Sequence, residues 1–307
     1  MTFQRMSKWQ KVIVVVLIVV IGLLLYVKIF YKDTNEQVTF FDVGQGDAAL
    51  IRMATGEKIL VDCGPNRKIL SKLGRVLKFY DREIDYLIAT HPDLDHYGGC
   101  VDVLRRYKVK KIVTNGISKD YDSYWQEWNK AVRSEGAEIV VMDGNAIWTF
   151  GSSTAEFFSP DKTLPLEVAP GDGNNYSIVF KLATPSSTYL FTGDMEIPLE
   201  LALLNRYCNK SEIQNPKFET NPKLQNSNGQ NRRLCPALAA DILKVGHHGS
   251  DSSTSEDLLR AVAPEKVVVS AGRGNRYGHP SLRIIRRLER MGISVLRTDE
   301  KGDIIIE

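Results

Sequence analysis

The segment HPDLDHYGG, residues 91–99, constrains this chain more than any other feature. His91, Asp93, Asp95 and His96 crowd two imidazoles and two carboxylates into six residues, directly after the apolar run IDYLIAT. Such crowding costs free energy unless a cation neutralises it, and this mix of N and O donors suits zinc, manganese or iron rather than copper or calcium. Pro92 stiffens the loop, while Gly98 and Gly99 allow a tight turn into the next segment. Taken alone, the same residues also fit a polar, solvated loop.

Two further segments share this form. In TYLFTGDM a strand runs into Gly193 and Asp194. A carboxylate there can bridge two metals, or simply cap the helix that starts at Ile197. In DILKVGHHGS an apolar strand runs into His247 and His248. On an extended segment neighbouring side chains point opposite ways, so one histidine is the better ligand and the other faces substrate or donates a proton. A surface histidine pair is the plainer alternative. The chain has five histidines, and four of them lie at these two junctions. The fifth, His279, sits in the glycine-containing loop GNRYGHPS. Convergence on one rim of a sheet accounts for all of them.

Between these points the pattern is strand-rich. VTFFDVG, AALIRMA and KILVDCG read as a meander, followed by helices over 69–80 and 97–107, the strand KKIVTNG, a helix over 121–133 and the strand AEIVVMD. A hairpin is expected over 147–158, a loop over 164–175, strands at YSIVFKLA and TYLFTGD, and a helix over 197–207. Helices over 255–262 and 282–290 then alternate with KVVVSAG, ISVLRT and DIIIE. Strands first and helices between later strands suit two sheets packed face to face with helices outside, an α/β (α+β) class.

Residues 12–27 carry no charge, and the apolar character continues to Tyr31 past Lys28. This length suits one transmembrane signal-anchor helix over 12–31, after a short cytoplasmic tail, 1–11. A cleaved signal peptide or a buried helix fits less well. Arg5, Lys8 and Lys11 lean the topology towards N-in, with the catalytic domain outside the cytoplasm. The net charge of +3 neither demands nor excludes an acidic substrate. Of the four cysteines none forms a C-x-x-C pair. Cys208 and Cys235 bracket a polar insertion (208–235), which a bridge would staple outside the cytoplasm; two unrelated thiols fit equally.

HPDLDH resembles the H-x-H-x-D-H signature of the metallo-β-lactamase superfamily, with Asp93 replacing the second histidine. FFDVGQGDAALI, the segment Asn174 to Ser177, FTGD, LKVGHHGS and N-x-Y-G-H-P (Asn275 to Pro280) resemble the soluble hydrolase domain of ComEC-type competence proteins. The resemblance implies a four-layer αββα sandwich over residues 36–307. It implies that His91 and Asp93 hold one metal, Asp95 and His96 the other, that Asp194 bridges them, and that His247, with His248 as rival, is the last ligand. Two divalent ions are implied, zinc first and manganese as the alternative. The family's third-motif histidine is missing here, and Asn174 or Asn175 is the candidate replacement.

That resemblance implies attack by a hydroxide held between the metals. Asp95, His248 and His279 are the expected proton handlers, and Lys244, Ser250, Asn174, Asn175, Asn275 and Arg276 the expected substrate contacts. It also implies a nuclease or phosphodiesterase acting on DNA or another phosphodiester. Basic runs at 105–111 and 283–290 do not by themselves make a nucleic-acid groove. One apolar run cannot form the family's many-helix channel, so the chain is either a stand-alone relative with a different phosphodiester substrate or one part of a split system with a separate channel protein as partner. Hydrolysis of another ester, an amide, a thioester or a β-lactam is the second expectation, and a non-catalytic membrane-tethered binding module the third.

Overall fold

The computed structural model describes residues 7–30, 36–164, 173–208 and 235–307. They belong to two units, Met1–Thr34 and Asn35–Glu307. In the first unit α1 (Lys8–Phe30) begins earlier than the expected Val12. A reciprocal cap fixes its start: Ser7 N–H donates to Gln10 Oε1 (2.9 Å) and Gln10 N–H to Ser7 Oγ (3.3 Å). Among the described residues no helix is long and apolar enough to cross a membrane. The expected helix is present; a span is not shown.

In the second unit β1 (Gln37–Phe40), β2 (Ala49–Arg52), β3 (Lys58–Val61), β4 (Glu83–Ala89), β5 (Lys108–Thr114) and β6 (Glu138–Val141) form one sheet. The second sheet contains β7 (Ile147–Phe150), β8 (Ser153–Ser159), β9 (Val179–Ala183), β10 (Thr188–Phe191), β11 (Ile242–Lys244), β12 (Lys266–Val269) and β13 (Ser294–Arg297). The last strand, β14 (Ile304–Ile306), returns to pair with β1. The orders are β14-β1-β2-β3-β4-β5-β6 and β13-β12-β11-β10-β9-β8-β7, so each sheet is antiparallel on one side and parallel on the other.

Alternation along the strands builds three layers of core. Ala49 and Ile51 face the opposite sheet while Leu50 faces the helices, and Ile59 and Val61 flank Leu60 in the same way. The outer face of the first sheet is covered by α2 (Lys68–Val76), α4 (Cys100–Leu104) and α5 (Ser123–Glu135), through Ile69, Val103 and Trp128. The second is covered by α6 (Ile197–Leu203), α7 (Glu256–Val262) and α8 (Leu282–Arg290), through Leu199, Leu259 and Leu288. Serine caps set the last two: Ser255 Oγ accepts from Leu258 N–H and Ser281 Oγ from Ile284 N–H. The result is the αββα sandwich, with strands buried on both faces where they run parallel.

The helix expected over 97–107 is instead two: α3 (Leu94–Tyr97), then α4. The chain breaks where Gly98 and Gly99 press against the 63–66 backbone. A Cβ at Gly98 would lie 2.5 Å from Pro65 O, and one at Gly99 2.3 Å from Cys63 O. Asp95 and His96 therefore sit on a helical turn rather than a loop. The helix expected over 69–80 stops at Val76, that over 197–207 gives way to a wider turn at Leu204–Cys208, and Thr298–Lys301 adds α9. All four cysteines are paired. Cys208–Cys235 joins the two ends of the insertion, whose residues 209–234 lie outside the described residues. Cys63–Cys100 was not anticipated from spacing; it ties the end of β3 to α4.

Candidate metal centre

The site forms where strands stop. β3 delivers Asp62, β4 delivers His91, β10 delivers Asp194 and β11 delivers His247 and His248, all from carboxyl ends of parallel-paired strands or their neighbours. The turn after β1 adds Asp47. Gly46, with φ +130°, is required there: a Cβ would lie 2.2 Å from Asp95 O, and Asp47 N–H donates to that same carbonyl at 3.2 Å.

Asp194 is the hub. Its Oδ1 lies 3.3 Å from His96 Nε2, and its Oδ2 lies 3.3 Å from His248 Nε2, 3.9 Å from His91 Nε2 and 3.9 Å from His247 Nε2. Asp95 Oδ2 is 3.2 Å from His248 Nε2, and Asp93 Oδ2 is 3.8 Å from His91 Nε2. The structure thus brings His91, Asp93, Asp95, His96, Asp194, His247 and His248 together. Asp47, His96, Asp194 and His248 each offer a ligand atom within 4.8 Å of the others, and all four are buried.

The donor atoms fit a cation better than they fit each other. His91 Nε2, His96 Nε2 and Asp194 Oδ1 are buried with no hydrogen-bond partner among the described residues. Unpaired buried polar atoms cost about 1–3 kcal/mol each, so two imidazole nitrogens beside one such carboxylate oxygen mark a ligand site. Two donors bound about 2.1 Å from one tetrahedral ion stand about 3.4 Å apart, close to the spacings seen here.

The imidazoles are aimed by buried partners. Asp62 accepts from Thr90 N–H and Thr90 Oγ1 (both 2.8 Å) and holds His96 Nδ1 at 2.8 Å. This is the carboxylate–histidine pairing that fixes a ligand's tautomer. Thr90 Oγ1 (3.1 Å) and Ser177 Oγ (3.4 Å) contact His91 Nδ1, and Ser177 Oγ also accepts from Asp194 N–H at 3.1 Å. His248 Nδ1 sits 3.0 Å from Ser270 O and 3.2 Å from Asp47 Oδ1.

Charge follows this geometry. Burial opposes protonating His96, yet the charges of Asp194 and Asp62 outweigh it and raise its pKa. Burial also opposes His248, and Asp194 and Asp47 push it up to about 10. His91 goes the other way, lowered to about 4 by burial and by the His96 charge. Burial would raise Asp194, but His248 and His96 hold it well below the carboxylate range.

Several expected residues are placed differently. His247 and His248 are not extended. Both adopt positive φ (45° and 53°), so both rings approach Asp194 and the either-or argument does not apply. Lys244, expected to touch phosphate, is buried in an ion pair with Asp47. Asn175, buried, accepts from Leu199 N–H (3.2 Å) and donates to Glu196 (3.4 Å), and Asn174 also hydrogen-bonds Glu196. Both amides, the expected stand-ins for the missing histidine, thus contact Glu196. Asn275 pins its own loop, donating to Gly272 O (2.9 Å) and His279 O (2.5 Å). Arg276 is exposed and stacks on Tyr277 (5.0 Å). Ser250 pairs with Ser252 (3.0 Å). His279 comes near, its ring 5.6 Å from that of His247, with Nδ1 buried and unpartnered.

The residues missed were Asp47, Asp62 and Glu196. Asp62 directly ends the apolar strand KILV and Asp47 directly follows Gly46, so each carries half of the signal that marked Asp194.

This sandwich, with its rim of histidines and aspartates, defines the class. Residues 41–273 match the metallo-β-lactamase superfamily, and the chain belongs to it. Within it the chain is 28% identical to ComE operon protein 3 of Bacillus subtilis (89% of this chain, 33% of that protein) and 28% identical to competence protein ComA of Neisseria gonorrhoeae (88% and 32%). Recombination protein 2 of Haemophilus influenzae is 27% identical (92% and 30%). The chain spans about a third of the length of each of these proteins. Among solved structures the fold is shared with YhfI of Bacillus subtilis (TM-score 0.51, 11% identity, 89% and 100% covered). It is shared also with a metallo hydrolase of Ignicoccus hospitalis (0.52, 12%, 88% and 99%).

Proposed function

We propose that this chain is a two-metal hydrolase of phosphodiesters, a ComEC-like nuclease or phosphodiesterase, tethered to the cell membrane with its catalytic domain outside the cytoplasm. The observation that carries the hydrolase reading is the set of unpartnered donors, His91 Nε2, His96 Nε2 and Asp194 Oδ1, turned towards one another in a buried rim. Similarity to competence proteins supports nucleic acid as the substrate class. Two disulfides support an oxidising compartment. The uncharged run 12–27, preceded by Arg5, Lys8 and Lys11, supports an N-in tether.

Asp95, His96 and His248 would hold one divalent ion and His91 and Asp93 a second, with the Asp194 carboxylate within reach of both sets. Bound there, such ions supply Lewis-acid stabilisation of phosphoryl charge and a low-pKa water. The protein's own part is orientation. Asp62 locks His96, Thr90 and Ser177 steer His91, and Ser270 O steers His248. Asp95 is the more open of the carboxylates near His248, and its other oxygen, Oδ1, is the candidate to accept a proton from water. His279, its pKa lowered by burial and by His247, stays neutral at pH 7 and faces the same rim.

The test is metal content and turnover of the full chain in detergent, with and without Asp194→Ala. Single-stranded DNA, bis-p-nitrophenyl phosphate and nitrocefin are the substrates. Metal-dependent cleavage of the first two, abolished by the substitution, is expected. A chain that carries no metal and cleaves none of the three would sink the reading.

A further inference from the structure

We propose that His247 completes the His91–Asp93 half of the centre, taking the place of the absent third-motif histidine, and that Glu196 is its positioning residue. This rests on the two-metal reading above and assigns the doubled histidine one imidazole per metal.

Three observations converge. First, His248 already belongs to the other half: its Nε2 is 3.2 Å from Asp95 and 3.3 Å from Asp194, close to the tetrahedral spacing. His248 Nε2 meets Asp194 Oδ2 at 3.3 Å, whereas His247 Nε2 stands off from that oxygen at 3.9 Å, the distance at which His91 Nε2 also approaches it. Secondly, His247 is held as metal-binding histidines are held. Its Nδ1 lies 2.9 Å from Glu196 Oε1, and Glu196 is fixed by Ser252 Oγ (2.8 Å) and by Asn175 Nδ2 (3.4 Å). A carboxylate on Nδ1 places the proton there and leaves the Nε2 lone pair facing Asp194. The asparagines of the segment that lacks the third histidine thus serve the centre indirectly, by holding Glu196.

Thirdly, the backbone is strained in the right place. His247 and His248 adopt positive φ in succession, a conformation that side-chain-bearing residues disfavour and that persists where surroundings enforce it. Gly246 makes the turn fit, since a Cβ there would lie 2.6 Å from Met195 O. The turn brings two adjacent imidazoles to one carboxylate, which an extended backbone does not allow.

The experiment is zinc and manganese titration of the metal-stripped full chain in detergent by calorimetry. Elemental analysis and the absorption spectrum of the cobalt-substituted protein accompany it. The wild type is expected to take two equivalents. His247→Ala is expected to keep one and lose the other, with loss of one set of cobalt bands. Glu196→Ala should weaken the second equivalent about 10- to 100-fold. Glu196→Gln, whose carboxamide oxygen still accepts from Nδ1–H, should recover most of that loss. Unchanged stoichiometry and affinity in His247→Ala would overturn the inference, as would a wild type that takes a single equivalent. Should His247→Ala fail to fold by circular dichroism, equal second-site affinity in Glu196→Ala and wild type overturns it. A wild type that binds no metal at all instead defeats the two-metal reading on which the inference rests.

Discussion

Asp62 Oδ2 stands 2.8 Å from His96 Nδ1, and this one contact decides which nitrogen of the imidazole faces Asp194. The same carboxylate caps the backbone and hydroxyl of Thr90, so it fixes the loop that carries His91 as well. Removing it should therefore harm metal binding and folding together. Asp62→Ala is expected to lower metal affinity about 10- to 100-fold and, by leaving Thr90 N–H unpaired, to cost about 1–3 kcal/mol of stability. Calorimetric titration and urea unfolding check the two effects separately.

Metal binding should release protons. In the metal-free protein His96 is raised above its ordinary value and His248 is raised to about 10, with burial overcome by the neighbouring carboxylates. Imidazoles with raised folded pKa values stabilise the metal-free fold fully below pH 6.5 and lose that contribution as pH rises towards about 10. A cation competes with those protons, so affinity should climb between pH 6 and 9. Calorimetry in buffers of different ionisation enthalpy measures the protons released; affinity that falls with pH contradicts the scheme.

The buried pair of Lys244 and Asp47 gives a third expectation. Lys244→Met leaves the buried Asp47 carboxylate with His248 as its one remaining ion-pair partner among the described residues, and breaking a buried pair in this way costs about 3–5 kcal/mol. Lys244→Met with Asp47→Asn removes the orphaned charge and should regain a large part of it. Urea denaturation of the single and double variants decides, and a double variant less stable than the single would refute the pairing argument.

Cys63–Cys100 closes a loop across 37 residues and lies between Asp62 and the helix that follows the His91 motif. Replacing both cysteines with serine should destabilise the fold by about 2–4 kcal/mol. A lowered Tm without a change in Cys208–Cys235, read by thermal melting and thiol counting, is the expected result. An unchanged Tm would show that the bridge contributes nothing to stability.

Sequence made the strands legible because they are short apolar runs stopped by glycine, proline or polar turn residues, and it made the rim legible because the histidines stand at or near those stops. The split at Gly98 was hidden, since it arises from contact with residues 63–66 rather than from local propensity. The choice between His247 and His248 rested on an extended backbone, whereas both residues turn left-handed. Lys244 looked like a phosphate contact because it neighbours the histidines, yet it ends β11 with its side chain inside. Asp62 could not be paired with His96 from sequence: the two stand 34 positions apart and meet only when β3 and β4 align.

The two sheets each carry part of the rim, and their strands come from successive stretches of chain. His91, Asp95 and His96 emerge early in synthesis, but Asp194 and the paired histidines emerge far later, and β14 must still swing back to β1. A nascent chain therefore holds only a fraction of the donors, and the centre is completed late, when the two halves of the sandwich have closed on one another.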